Sequence, residues 1–178
     1  MKTRGNRWGP VIWGGAALLL LAPLVAMQFT GEVNWDETDF MVVGAMLLAA
    51  CGTYELATRV SGNTAYRVAA GIAVVTAFVL VWVNLAVGVF GSEDNPANLM
   101  FGGVIAVAIV GSIAARFQAR RMATVFNTTA AAQALVAAIG LLLGFGPTVL
   151  LAALFAMPWL VSARLFRKAA HETGGAKS

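Results

Sequence analysis

The chain has 178 residues, of which 60% are apolar and only 11% charged. A soluble domain carries about 25% charged residues, and the apolar residues here arrive in blocks too long and too uniform for the one-sided helices of a water-soluble core. The formal net charge of +4 does not argue for nucleic acid, because that reading needs a basic face with stacking aromatics on a soluble module and the chain offers no such module.

The first apolar block covers about residues 10–28 and follows a basic start with Lys2, Arg4 and Arg7. A signal peptide has the same layout. This stretch is longer than a usual signal core, however, and the positions around Leu24 and Ala26 make a poor cleavage site. A retained membrane helix is the expectation. A polar segment with Glu32, Asp36, Glu37 and Asp39 comes next, then a second block at about 40–58. In the short turn that follows, Gly62 suits a helix stop and Asn63 suits an N-cap.

The third block is expected over about 65–90, ending at Gly91-Ser92-Glu93-Asp94-Asn95-Pro96. Asn95 can cap the next helix, and Pro96 fits its first turn because the missing N–H would have been unpaired there. The fourth block covers about 97–115, and Arg116, Arg120 and Arg121 interrupt it. The fifth covers about 122–143, Gly144-Phe145-Gly146-Pro147 reverses the chain, and the sixth covers about 148–166 before a short polar tail. Pro23 and Pro158 fall inside helices and are expected to kink them. Each block is near the ~20 residues that cross the hydrocarbon core. The expected architecture is all-α: a single transmembrane domain over 1–178, built as a bundle of six transmembrane helices.

Charge placement sets the sidedness. The N-terminus carries Lys2, Arg4 and Arg7; the turn after the second block carries Arg59 and Arg67; the turn after the fourth carries Arg116, Arg120 and Arg121; and the C-terminal flank carries Arg164, Arg167, Lys168 and Lys177. These are all 12 lysines and arginines of the chain, and they fall on one side of a six-span model. The opposite side holds Glu32, Asp36, Glu37, Asp39, Glu93 and Asp94. The positive-inside rule then puts both termini in the cytoplasm.

Few polar residues stand within the blocks. Glu55 is the only acid inside one. Intramembrane ionisable groups are costly and often functional, but Arg59 lies at i+4, so an interfacial helical ion pair is the plainer reading and a proton or cation role the alternative. Asn84 shares a stripe with Ala70, Ala77 and, nearby, Ala73 and Gly88. It reads as packing glue between closely spaced helices, or as a transport station. Gln133 lies mid-helix among Ala130, Ala134, Ala137 and Ala138, with the same two readings, and Gly140 and Gly144 form a weak GxxxG pair at the outer end.

Glu93 and Asp94 belong to an acidic outer rim that could concentrate cations. Helix capping and ordinary charge sidedness account for the same acids. Cys51 is alone and reads as a small apolar packing residue. His171 is the single histidine and sits in the tail, so paired haem ligands are excluded. The sequence holds no phosphate loop, nucleophile elbow or zinc-protease motif. No cofactor, metal or catalytic residue is expected, and an enzyme is the least favoured class. The Asn127-Thr128-Thr129 sequon falls on the cytoplasmic side and is expected to be unused.

The stretch Trp82-Val83-Asn84-Leu85-Ala86-Val87-Gly88-Val89-Phe90-Gly91-Ser92-Glu93-Asp94-Asn95-Pro96-Ala97-Asn98 resembles one in small bacterial multi-pass inner-membrane proteins without assigned activity, a likeness extending over the second to fifth helices. The resemblance implies a bacterial inner-membrane setting and carries over no site residue. The functional expectation is a structural or accessory membrane protein, as a homo-oligomer or a subunit of a larger membrane complex, with the lipid bilayer as its constant partner. The alternative is a small cation or proton transporter or channel with the acidic loops as its outer vestibule and Glu55, Asn84 and Gln133 as polar stations.

Overall fold

Six helices in the computed structural model are long and apolar enough to cross a membrane. The structure describes residues 9–175, so the basic Lys2, Arg4, Arg7 and Lys177 lie outside the described residues. The described residues are helical and contain no strand: α1 (Gly9–Ala26), α2 (Glu37–Val60), α3 (Thr64–Ala86), a short 3-10 turn (Pro96–Asn98) leading into α4 (Leu99–Ala114), α5 (Ala119–Leu142), α6 (Thr148–Leu154) and α7 (Ala156–Gly175). The chain divides into two compact units, 1–59 and 60–178.

The first unit is an antiparallel pair. Near the start of α1, the Trp13 indole meets Glu55 near the end of α2. Further along, Leu20 comes against Gly44, 3.8 Å from where a Cβ would stand. No residue of α1 is buried, which suits a helix whose apolar surface faces lipid. The start of α2 is closed by a reciprocal cap. Asp36 Oδ1 accepts from the Asp39 N–H at 2.9 Å, and Asp39 Oδ2 accepts from the Asp36 N–H at 3.1 Å. Acids at this end also favour the helix dipole.

In the second unit α7 packs against both α3 and α5, and α5 packs on to α4. The core between them is built from small residues and aromatics. Ala69, Ala73, Thr76 and Leu80 of α3 are buried on one face at helical spacing. Tyr66, Phe166, Phe126 and Trp159 form a connected aromatic column, with Tyr66–Phe166 edge-on at 4.9 Å and Phe126 stacked on Phe166 at 5.4 Å and on Trp159 at 5.7 Å. The Ser162 hydroxyl, fully buried, donates to the Ala69 carbonyl at 3.0 Å. At Gly111 a Cβ would fall 2.7 Å from Val125 Cγ1, so the glycine lets α4 and α5 approach closely.

Two helices end differently from the sequence expectation. The third stops at Ala86 rather than near Phe90. Gly88 takes φ +73°, and its N–H reaches back to the Val83 carbonyl at 3.0 Å. This is a left-handed glycine stop. The freed segment folds inward, and Val89 and Phe90 are buried at this end of the unit. The sixth span is broken at Phe155 into α6 and α7, and the second piece runs on to Gly175 instead of ending near 166. Pro158 explains the break, since it offers no N–H to the Leu154 carbonyl and its ring crowds that group. The extension is a polar helix held by Lys168–Glu172 at i,i+4.

Two ends of this unit are distinct. At one, Asn63 caps α3 by accepting from the Tyr66 N–H at 3.0 Å, and its amide donates to Glu172 at 2.7 Å. The Tyr66 hydroxyl donates to the Phe117 carbonyl at 2.8 Å. This end gathers the α4–α5 turn and the C-terminal part of α7, hence Arg116, Arg120, Arg121, Arg167 and Lys168. In that turn Arg116 and Phe117 both take left-handed conformations, φ 49° and 56°, a strain that the Tyr66 bond helps hold in place. The other end carries Glu93 and Asp94.

Candidate functional site at the acidic end

The loop between α3 and α4 is organised by Asn98. Its Oδ1 accepts from the Phe90 N–H at 2.9 Å, and its Nδ2 donates to the Ser92 carbonyl at 2.7 Å. One side chain therefore pins both limbs of the loop. Asn95 caps the turn that follows, accepting from the Ala97 N–H at 3.0 Å, with Pro96 in the first turn. Phe90 is thereby held fully buried, stacked on Phe145 at 4.7 Å and set against Phe101 at 5.0 Å. A Cβ on Gly140 would come within 2.5 Å of the Phe90 ring. Gly140 is thus the socket for Phe90, a use that the GxxxG pattern did not reveal.

Beside this plug lies a cavity of about 420 Å³. Asn84, Glu93 and Asp94 line it together with Asn95 and Asn98, and Leu80, Leu99 and Phe101 supply part of its apolar wall. Three of the sequence candidates are thus brought to one place. The Asn84 amide turns back on its own helix, donating to the Leu80 carbonyl at 2.8 Å, and does not bridge two helices. Its Oδ1 is buried without a partner. Among the described residues no three His, Cys, Asp or Glu side chains gather in a way that could hold a metal. In the first unit, Asp36 and Asp39 are engaged in capping α2.

No protein-family model, curated protein or solved structure matches this chain.

The remaining candidates lie elsewhere. Glu55 belongs to the first unit. It pairs with Arg59 at i,i+4 and accepts from the Trp13 indole at 3.3 Å. The ion pair is the one read from the sequence, whereas Trp13 could not be found from local spacing. Gln133 is fully buried in α5 and donates through Nε2 to the Ala152 carbonyl at 2.8 Å. That carbonyl lies just before the break at Phe155. Neighbouring polar side chains commonly satisfy backbone groups near a broken membrane helix, and Gln133 has this position. Its Oε1 and the Trp159 indole N–H remain without partners. The cavity that holds Asn84 does not reach Gln133. Asn98, which the sequence reading passed over, is the residue on which the whole acidic-end loop depends.

Proposed function

We propose that this chain is a multi-pass protein of the bacterial inner membrane with a structural or accessory role, no catalytic centre, and both termini in the cytoplasm. Its partners are the lipid bilayer and further copies of itself or the subunits of a larger membrane assembly. The observation that carries the reading is the use made of Gln133. This fully buried amide donates to a backbone carbonyl beside a broken helix and lies outside the cavity that holds Asn84. A transport path needs such a group to face water or cargo. Sidedness rests on the placement of every lysine and arginine, and the bacterial setting rests on the resemblance of the segment around Asn84 and Glu93.

Cation transport is the second reading, because Asn84, Glu93 and Asp94 line one cavity at the acidic end. Cation flux into proteoliposomes separates the two. The accessory role predicts flux no greater than in protein-free vesicles. Flux that the Glu93→Gln/Asp94→Asn double variant abolishes establishes transport instead.

A further inference from the structure

The basic end of the second unit holds a cavity of about 460 Å³ between α5 and α7, lined by Arg120, Ala123, Thr124, Arg167, Ala170 and His171. Two guanidinium groups and an imidazole, from two antiparallel helices, thus face one space. Among the described residues neither arginine has an ion pair or hydrogen bond. Among the described residues no carboxylate lines the cavity. The nearest acid in sequence, Glu172, is taken up by Lys168 and by the Asn63 amide. Like charges held close without a counter-ion are unfavourable, and the guanidinium fork matches phosphate oxygens.

A second cavity adjoins this one. Thr124 lines both, and the second is walled by Val107 and Gly111 of α4 and by Arg121, Val125 and Thr128 of α5. Arg121, Thr124 and Thr128 fall on one face of α5, which carries the groove roughly 10 Å along the helix toward the bilayer centre. A charged chamber at helix ends beside a mainly apolar groove has the two-part chemistry of a phospholipid. A soluble phosphate would use only the first part.

We infer that this site binds the headgroup of an anionic phospholipid, with Arg120, Arg167 and His171 contacting the phosphate and an acyl chain lying in the groove between α4 and α5. Basic pockets between membrane helices recognise such headgroups by charge and hydrogen bonding. The inference does not depend on the accessory reading, since a transporter with the same end would bind the same lipid.

Native mass spectrometry of the full chain in detergent, titrated with phosphatidylglycerol or with phosphatidylcholine of identical chains, tests it. The expected result is one retained phosphatidylglycerol per chain and no comparable retention of phosphatidylcholine. Arg120→Gln/Arg167→Gln should weaken retention roughly thirtyfold, given the usual worth of a basic residue at a lipid surface. Both arginines are exposed, so the variant should keep its fold, and its unfolding temperature without lipid checks this. Arg116→Gln/Arg164→Gln removes the same charge from exposed positions at the same end but outside the cavity, and should cost only a few-fold. Equal loss in Arg116→Gln/Arg164→Gln means diffuse attraction to a basic surface and overturns the site. Equal retention of phosphatidylcholine overturns the headgroup assignment. Inorganic phosphate or glycerol phosphate that displaces the lipid at comparable concentration overturns the role of the groove.

Discussion

Phe90 and Gly140 show how one contact couples positions far apart in the chain. Phe90 is fully buried, and truncating such a ring typically costs about 3–5 kcal/mol. Gly140→Ala drives a methyl into that ring, and overpacking of this kind costs about 1–3 kcal/mol. If the ring is the obstacle, the second cost must vanish once the first change is made. A double-mutant cycle of Phe90→Ala and Gly140→Ala, read by unfolding in detergent, should therefore show a large favourable coupling. Additive losses would mean that Gly140 serves some other neighbour. The sequence could not disclose this pair. Gly140 and Gly144 looked alike by spacing, yet Gly144 is a turn glycine at φ +80° with open space around it.

At the level of elements, helix starts were the most legible feature. Asn63 and Asn95 with Pro96 both cap as expected, because capping is settled by side-chain chemistry within three residues. Helix ends were less so. Val87 to Phe90 is apolar enough to continue α3, and only the combination of Gly88 with a waiting socket turns it inward. The loop so formed hangs on Asn98, which makes two bonds from a buried position, whereas Asn95 makes one local cap. Asn98→Ala strands the buried Phe90 N–H, a loss of about 1–3 kcal/mol, and also removes the bond to the Ser92 carbonyl. Asn95→Ala loses a cap worth about 1 kcal/mol. Thermal unfolding should rank Asn98→Ala clearly below Asn95→Ala. The reverse order would show that the loop is held by Phe90 packing alone. The break at Phe155 was half legible. Pro158 announced it, but that Gln133 would sit beside it required α5 and α6 to be placed together.

For the whole molecule the decisive pattern is electrical. Every lysine and arginine stands in a segment that a six-span topology assigns to one side, and the second unit gathers its described basic residues at one end, with Glu93 and Asp94 at the other. Reporter fusions after Asp36, Asp94 and Phe145 should therefore read as external, and fusions after Asn63, Arg120 and Lys177 as cytoplasmic. A cytoplasmic signal at Asp94 would invert the arrangement of α3 and α4 and overturn the six-span sidedness. The sequence by itself determined the number of spans, their starts and the segregation of charge. Hydropathy, capping and charge placement act over one helix or one loop and need no knowledge of neighbours. Only the tertiary structure decided that Phe90 plugs the acidic end, that Gln133 pairs with the Ala152 carbonyl, and that Arg120 and Arg167 share a cavity. These depend on which faces of distant helices meet, and in a chain so uniformly apolar the faces are not marked by polarity.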